Sequence, residues 1–240
     1  MNMRLGIIQT RGLGDIIIAA PIAYYFKELG YDIYWPIDSR FLSSFECAFP
    51  SINFIPVDSR KLGVNTEEYF YSYPSSVLKE LNCEKIICLY SYLSGLKIIN
   101  TRLSESLSFD MYKYAVSKVP FVEKWNLKIK RNIERELELC KSISLELQER
   151  YILLHEEGSN FKIDLKKLLP DQKLRIVRLS EVSDNIFDWL SVIENASVIV
   201  MIDSVYSNLV DQLKIPNKKY LYLRSPFPFT PVLMSNWEFI

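Results

Sequence analysis

The fold of this chain is decided by residues 5–21, which read LGIIQTRGLGDIIIAAP. The apolar run at 5–8 predicts a short strand, the glycines that follow predict a loop, and the apolar residues after Asp15 predict a helix. Glycines in such a loop let backbone N–H groups approach a phosphate, and the start of a helix favours negative charge. The carboxylate of Asp15 at this point indicates either a helix cap or a catalytic group beside a phosphorylated substrate.

Composition and charge set the broad class. The chain has 240 residues, of which 49% are hydrophobic, so it can bury a sizeable core in one large or two small domains. Twenty-nine basic residues balance 29 acidic ones, so no global field recruits nucleic acid or an anionic membrane. A local basic patch stays open as an alternative, and its candidate strip is Lys124, Lys128, Lys130 and Arg131.

The cysteines lie apart in the sequence, at Cys47, Cys83, Cys88 and Cys140. They form no CxxC pair, and His155 is the only histidine, so we predict no metal site and no cofactor. We interpret the cysteines as reduced, mostly buried thiols. The first apolar run is interrupted by Gln9 and Arg11 and is too short for a signal peptide or a membrane span. We therefore expect a cytoplasmic protein.

Apolar runs of four to six residues alternate with helical stretches, which is typical of an α/β fold with parallel sheets. In the first half, strands are predicted at 4–9, 31–35, 52–57 and 85–90, and helices at 16–30 and 106–118. Pro21 is either the first residue of the regular helix or a kink within a helix that began at Asp15. The spacing leaves both open.

Apolar residues recur at spacings of three and four between residues 129 and 147, which predicts an amphipathic helix. The rhythm then restarts, with strands at 151–155, 174–179, 198–202 and 219–223 and helices at 186–195 and 204–213. We therefore predict two Rossmann-like lobes with parallel sheets, separated by a cleft. The predicted divisions are 1–128 for the first lobe, 129–149 for a connecting helix, 150–225 for the second lobe and 226–240 for a segment returning to the first lobe.

The first loop also admits other interpretations. Gly12 and Gly14 supply the G-x-G of a dinucleotide-binding loop, but the third glycine position is Ile17. This departure disfavours a nicotinamide or flavin enzyme. In a purely structural interpretation, the glycines make a tight turn and Asp15 caps the helix.

A second candidate site follows the strand at 151–155, where the chain reads HEEGSNFK from His155 to Lys162. A loop of small residues and a lysine at the carboxyl end of a strand are what a diphosphate site requires. Lys162 can neutralise a departing phosphate, or it is a solvated surface lysine. His155 is a weaker candidate, because a lone histidine ending an apolar strand is more often packed or capping.

A third candidate follows the strand at 198–202, where Asp203 and Ser204 precede a helix whose first turn carries Ser207. The start of such a helix offers N–H groups and hydroxyls to a nucleotide or its ribose. The alternative is helix capping by Asp203 or Ser204, which the same residues achieve.

Together and in this order, the three stretches resemble the heptosyltransferases, family 9 glycosyltransferases with the two-lobed GT-B fold. The matching residues are Gly14-Asp15-Ile16-Ile17 with Pro21, Leu153 through Lys162, and Asp188-Trp189-Leu190 through Asp203-Ser204. The chain departs from the family at Val205, where glycine is usual, and at Asn208, where histidine is usual. It is also shorter than is usual for the family.

The resemblance implies transfer of a sugar from a nucleotide-sugar donor to an acceptor hydroxyl, with inversion and without a metal. It implies that Asp15 is the general base and that the loop of the second lobe stabilises the departing diphosphate. The implied donor-binding residues are Gly158, Ser159, Asn160, Lys162, Asp203, Ser204 and Ser207. The implied acceptor-side loop consists of Thr10, Arg11, Gly12 and Gly14.

Three hypotheses for the function remain. The leading one is a glycosyltransferase of the hexosyl or heptosyl type, acting in glycan biosynthesis on a glycan, a lipid-linked sugar or another hydroxyl acceptor. The second is a non-catalytic relative that binds nucleotide-sugars or serves in assembly, which the altered Asp-Ser-Val segment favours. The third is a transferase that glycosylates a base in DNA, for which the basic strip named above would be needed.

Overall fold

The computed structural model of the chain describes residues 2–92, 99–158, 161–165, 173–179, 182–224, 229–234 and 236–240. The chain forms two compact units. The first comprises Met1–Lys130 and Phe227–Val232, and the second comprises Arg131–Pro226 and Leu233–Ile240. Each unit contains its own parallel sheet with helices between the strands, which confirms the predicted α/β class.

The first unit alternates strands and helices from its start. Its elements are β1 (Arg4–Ile8), α1 (Leu13–Glu28), β2 (Asp32–Asp38), α2 (Leu42–Ala48), β3 (Asn53–Val57), α3 (Ser59–Leu62), a π-helix (Glu68–Ser72), α4 (Tyr73–Glu80), β4 (Lys85–Cys88), α5 (Thr101–Ser106), α6 (Phe109–Ser117) and a 3₁₀-helix (Phe121–Trp125). The strands are all parallel, in the order β3-β2-β1-β4. The strand β1 is therefore central, and its carboxyl end opens into the first loop.

The first helix begins earlier than the sequence pattern predicts. It starts at Leu13 and contains Pro21 in its interior, so of the two alternatives for this proline the one inside the helix is correct. Most of α1 is apolar and buried, which stabilises a helix that a proline interrupts. The Tyr114 hydroxyl donates a hydrogen bond to the carbonyl oxygen of Ile18 at 2.8 Å, and this ties the helix to α6.

The second unit repeats the alternation. Its elements are α7 (Ile133–Ser142), β5 (Tyr151–His155), β6 (Glu157–Gly158), β7 (Phe161–Lys162), β8 (Arg175–Arg178), a 3₁₀-helix (Ile186–Trp189), α8 (Leu190–Asn195), β9 (Val198–Ile202), α9 (Val205–Gln212), β10 (Lys218–Tyr222) and β11 (Trp237–Phe239). Five parallel strands follow the order β11-β10-β9-β5-β8, and β6 and β7 form a short antiparallel hairpin. The strands β5 and β9 are buried along nearly their whole length.

The end of the chain meets the prediction only in part, because Phe227–Val232 belongs to the first unit. Of the segment 226–240, the part Leu233–Ile240 belongs to the second unit, where β11 pairs with β10. The cause is local: Trp237 is buried, and its Nε1 donates a hydrogen bond to Oδ1 of the buried Asp211 at 3.1 Å. The predicted connecting helix at 129–149 is also shorter, because α7 covers only Ile133–Ser142 and belongs to the second unit.

The cysteines are free thiols, as expected, but their burial differs from the prediction. Cys140 is buried, Cys83 and Cys88 are half-buried, and Cys47 is exposed. The prediction of mostly buried thiols is therefore correct only for Cys140 and wrong for the other three.

Candidate functional site

The first candidate site lies where β1 ends and α1 begins. The Tyr90 hydroxyl accepts hydrogen bonds from the backbone nitrogens of Thr10 at 2.7 Å and Arg11 at 3.1 Å. The Thr10 carbonyl accepts one from the backbone nitrogen of Asp38 at 2.8 Å, so the loop is fixed from two neighbouring strands. Gly12 is the N-cap of α1 with a φ of 84°, a conformation that favours glycine.

Asp15 occupies the first turn of α1, and its carboxylate does not cap the helix. Instead, its Oδ1 forms an ion pair with Nζ of Lys113 at 2.8 Å. The Lys113 side chain is fully buried, whereas the Asp15 side chain keeps 20% of its surface exposed. The purely structural interpretation of Asp15 as a helix cap is therefore wrong, and the carboxylate is accessible to a ligand.

A cavity of about 320 Å³ lies in front of Asp15. Its other lining residues are aromatic: Tyr92, Phe109 and Phe229. A carboxylate among aromatic rings offers one charged group and several apolar faces, a common design for small-molecule sites. Gly14 lies next to Asp15 in the first turn of the helix.

Two arginines lie near this loop, and each has partners. Nη1 of Arg11 donates to the Val64 carbonyl at 2.9 Å and to Oδ1 of Asn65 at 2.8 Å. The Arg40 guanidinium forms two hydrogen bonds to the buried Asp38, from Nε at 2.9 Å and from Nη2 at 2.8 Å. Arg11 pairs with no carboxylate in the described ranges, so its charge remains uncompensated there.

The Asp38 carboxylate also accepts a hydrogen bond from the Tyr69 hydroxyl at 2.5 Å. Burial raises the pKa of Asp38, but the hydrogen bonds from Arg40 and Tyr69 outweigh it and lower the pKa to about 2. Asp38 is therefore charged throughout the neutral range and stabilises the end of β2.

In the second unit, His155 ends β5 and is buried. Its Nδ1 lies 3.0 Å from Oγ of Ser204, and its ring packs edge-on against Tyr206. Burial, with a smaller contribution from the Arg224 charge, lowers the pKa of His155 to about 4. The ring is therefore neutral at pH 7. His155 is a packed residue, as expected for a lone histidine that ends an apolar strand.

The lysine of the second candidate site is already paired. Lys162 forms an ion pair with Glu157 across the hairpin of β6 and β7, and both side chains are mostly exposed. Neither of the two alternatives for Lys162 is met in full. Its ammonium group is accessible to solvent, but Glu157 compensates its charge. Ser159 and Asn160, predicted to bind the diphosphate, lie outside the described residues.

Arg224 lies close to both Gly158 and Asp203, and it was not among the site residues predicted from the sequence. Arg224 donates from its backbone nitrogen to Oδ1 of Asp203 at 2.8 Å, and from Nε to the Asp203 carbonyl at 2.6 Å and to Oδ1 at 2.9 Å. A Cβ atom on Gly158 would lie 2.5 Å from Nη1 of Arg224, so a larger residue there would have to displace the guanidinium group. The available signal was the position of Arg224, two residues beyond the buried strand β10.

Ser204 and Ser207 form a capping box at the start of α9. Oγ of Ser204 accepts from the Tyr206 backbone nitrogen at 3.2 Å, and Oγ of Ser207 accepts from the Ser204 backbone nitrogen at 2.8 Å. Asn208, at the position where the family has histidine, donates from Nδ2 to the Ser204 carbonyl at 2.8 Å. The capping alternative is thus correct for Ser204, the N-cap, with Ser207 completing the box, whereas Asp203 pairs with Arg224.

Burial and ion pairing weaken the proposed basic strip. Lys124 is fully buried in an ion pair with Asp110 at 2.7 Å, and Lys128 pairs with Glu28. Arg131 pairs with Glu136 and with Glu194, the latter at 2.5 Å. These carboxylates compensate three of the four cations that the DNA hypothesis requires.

Two features are absent from the described part of the chain. No group of three or more histidine, cysteine, aspartate or glutamate side chains there is placed to bind a metal ion. No helix in the same ranges is long and apolar enough to cross a membrane.

The chain was also compared with known proteins. No protein-family model matches the sequence, and no curated protein matches it. Among solved structures, a family 9 glycosyl transferase from Veillonella parvula DSM 2008 matches with a TM-score of 0.64 at 13% identity, over 99% of this chain and 86% of that one. The heptosyltransferase II of E. coli, described as an ADP-heptose lps enzyme, matches with a TM-score of 0.58 at 13% identity, over 99% and 90%.

A third similar structure is the E. coli heptosyltransferase WaaC with ADP-2-deoxy-2-fluoro heptose, with a TM-score of 0.51 at 14% identity over 99% of this chain and 93% of that one. At such identities the likeness shows the fold, and the activity has to be argued from the site. The chain therefore has the α/β fold of the family 9 glycosyltransferases and heptosyltransferases, as its sequence resemblance led us to expect.

Proposed function

We propose that this chain is an enzyme, a glycosyltransferase that moves a sugar from a nucleotide-sugar donor to an acceptor hydroxyl, with inversion at the anomeric carbon. The fold supports the class, because the similar structures are named as glycosyltransferases and one of them is described with a nucleotide-sugar analogue. We expect the acceptor to be a glycan, a lipid-linked sugar or another hydroxyl compound. A cytoplasmic location and a role in glycan biosynthesis stay predictions.

The observation that carries the proposal is the carboxylate of Asp15 in the aromatic cavity of the first unit. An acceptor hydroxyl has to lose its proton as it attacks the anomeric carbon, and a positioned carboxylate serves as the general base. The buried Lys113 fixes Oδ1, so Oδ2 is the oxygen that we assign to the acceptor proton. The rings of Tyr92, Phe109 and Phe229 provide apolar surface on which the acceptor packs.

We place the donor in the second unit. Arg224, fixed by Asp203, supplies a cation beside Gly158, and charge-assisted hydrogen bonds from such a group would stabilise a departing diphosphate. Lys162 would add a second cation after leaving Glu157, an exposed pair that is weak in water. Ser159 and Asn160 remain part of this proposed site, and the capped start of α9 would position the nucleotide.

The test is turnover. Purified protein is incubated with a panel of nucleotide-sugars and hydroxyl acceptors, and release of the nucleoside diphosphate is followed with and without EDTA. We expect acceptor-dependent release that EDTA leaves unchanged, and NMR of the product should show the inverted anomer. The Asp15→Asn variant should lose about 100-fold or more in kcat, as removal of a general base does.

The control is Asp58→Asn, because Asp58 caps the short helix α3 and asparagine caps equally well. This variant should keep full activity. Turnover by Asp15→Asn at the wild-type rate would contradict the assignment of the base. A wild-type protein that consumes no donor would contradict the enzyme proposal.

A non-catalytic nucleotide-sugar-binding module is the second candidate. Two observations favour it: Glu157 compensates Lys162, and the hydroxyls of Ser204 and Ser207 are engaged in capping. A thermal-shift screen separates the two candidates, since a ligand of the native state raises its melting temperature by mass action. A shift with nucleotide-sugars and no turnover with any acceptor would favour the binding module.

A further inference from the structure

The ammonium group of Lys113 is surrounded by three oxygens from three different parts of the first unit. It donates to Oε1 of Gln9 at 2.8 Å and to the Leu89 carbonyl at 3.2 Å, and it forms the ion pair with Oδ1 of Asp15. Gln9 follows β1, Leu89 follows β4, and Asp15 lies in α1. One buried cation therefore joins the carboxyl ends of two adjacent strands to the carboxylate at the start of the helix.

The orientation of the Gln9 amide is also fixed. Its Nε2 donates to the Arg11 carbonyl at 2.8 Å, which leaves Oε1 as the acceptor for Lys113. The position of the Lys113 ammonium group is thus determined by groups that do not depend on Asp15. A carboxylate that is paired with this ammonium group is therefore held in a defined position.

We propose that Lys113 is the positioning residue of Asp15: it binds Oδ1 and so orients the carboxylate with its other oxygen toward the cavity of Tyr92, Phe109 and Phe229. The inference rests on the proposed function, in which Asp15 is the base. It adds the residue through which the base acquires its orientation, on the same helix, α6, that contributes Phe109 to the cavity.

A second buried ion pair in the same unit shows what a purely structural pair looks like. Neither Lys124 nor Asp110 is exposed at all. Asp110 also accepts hydrogen bonds from the Ser108 hydroxyl at 2.5 Å, the Met111 nitrogen at 2.9 Å and the Val232 nitrogen at 2.8 Å. No capacity of that carboxylate is left for a ligand.

The Asp15 carboxylate differs in both respects. A fifth of its side chain is exposed, and Lys113 is its polar partner within the described ranges. Charge pairing on one oxygen and an opening on the other atoms is the arrangement that a positioned base requires. The pairs Lys113–Asp15 and Lys124–Asp110 therefore have the same chemistry but differ in whether the carboxylate is accessible. Substitution of the two lysines can be compared directly.

The experiment compares Lys113→Met with Lys124→Met, since methionine keeps much of the lysine volume without its charge. Urea unfolding midpoints and the kcat and KM for acceptor-dependent release of nucleoside diphosphate are measured for both. We expect the two variants to rank in opposite order for the loss of stability and for the loss of kcat. Lys124→Met should lower the midpoint more, because it leaves the fully buried Asp110 uncompensated, but its kcat should stay within twofold. Lys113→Met should lose at least 10-fold in kcat.

A double-mutant cycle tests whether Lys113 acts through Asp15. In the Asp15→Asn background, Lys113→Met should change kcat by less than twofold, because the carboxylate it orients is absent. Lys113→Arg, which keeps the charge, should recover part of the rate. Additive losses in the cycle, or a kcat loss that simply follows the loss of stability in both variants, would overturn the proposal.

A measurement without turnover keeps the two proposals separate. The ¹³C resonance of the Asp15 carboxyl, assigned with Asp15→Asn, should move in Lys113→Met and remain in place in Lys124→Met. An unchanged resonance in Lys113→Met would refute the positioning role whatever the activity. If the resonance moves but the wild-type protein consumes no donor, the glycosyltransferase proposal fails and the positioning of Asp15 by Lys113 stands.

Discussion

Gly12 and Asp15 are packed so closely that a Cβ atom on Gly12 would lie 2.5 Å from Oδ2 of Asp15. The loop glycine therefore does more than permit a turn. It leaves the space that the proposed catalytic oxygen occupies, so the backbone of the loop and the position of the carboxylate are linked.

The variant Gly12→Ala should consequently lose activity as well as stability. Its φ of 84° costs an alanine about 1–2 kcal/mol, and the new methyl group displaces Asp15. Gly30→Ala is the matched control, because Gly30 has a φ of 89° and a Cβ there would meet nothing within 4 Å. Urea unfolding should show similar losses for both variants, and the transferase assay should show a loss for Gly12→Ala alone. Equal activity in the two variants would contradict this relationship.

The only histidine gives a direct test of the second unit. The pKa of His155 is lowered to about 4 by burial and by the Arg224 charge, so the His155 ring signal in a ¹H NMR titration should have its midpoint near that pH. The unfolded chain takes up this proton near pH 6.5, and protonation therefore favours unfolding as the pH falls from about 6.5 to 4. Stability that is fully present above pH 6.5 should drop by about 3 kcal/mol across this window.

The variant His155→Gln provides the comparison, since its amide oxygen can still accept a hydrogen bond from Ser204. Its free energy of unfolding should vary less between pH 6.5 and 4 than that of the wild type. A His155 midpoint near 6.5 would show that the ring is solvated, contrary to the structure.

Acid stability below this window should depend on Asp38. Its pKa is lowered to about 2, against 3.8 for an ordinary aspartate, so its contribution is present above pH 4 and is lost as the pH falls toward 2. The contribution is on the order of 2 kcal/mol. Urea titrations at several pH values should show a shallower fall for Asp38→Asn than for the wild type. An unchanged slope in Asp38→Asn would refute the assignment.

Arg224 should contribute to binding at the second unit. Arg224→Gln removes the cation and the pairing with Asp203, and we expect nucleoside diphosphates to bind about 10-fold more weakly, as measured by calorimetry. Gly158→Ala should weaken binding in the same direction by displacing the guanidinium group. Arg175→Gln, which removes an exposed pair with Glu149, is the control and should leave affinity unchanged. Unaltered affinity in Arg224→Gln would place the diphosphate elsewhere.

The strands were the part of the fold most readily predicted from the sequence. Short apolar runs such as those of β5 and β9 are local patterns, and a buried parallel strand requires nothing more to be recognised. The boundaries of α1 were less accessible. The interior position of Pro21 is stabilised by the packing of an almost wholly apolar helix, which a propensity argument does not include.

The partners of the site residues were beyond the reach of the sequence. Asp15 was identified from its loop, but Lys113 lies on α6, and 104 positions separate it from Gln9, which it also binds. A lysine between two tyrosines carries no signal that its ammonium group is buried. Arg224 similarly approaches Gly158 only because β5 and β10 belong to the same sheet. Such residues are brought together by topology, which local patterns do not encode.

The route of the chain has a consequence for attempts to divide the molecule. The first unit is completed by residues near the chain's end, because the backbone of Val232 donates to Asp110 and accepts from Lys124. A gene fragment that stops at Lys130 would encode every strand of the first sheet and yet leave this ion pair without that cover. The two units are thus interleaved rather than modular, so recombination between relatives has to exchange both segments of the first unit together.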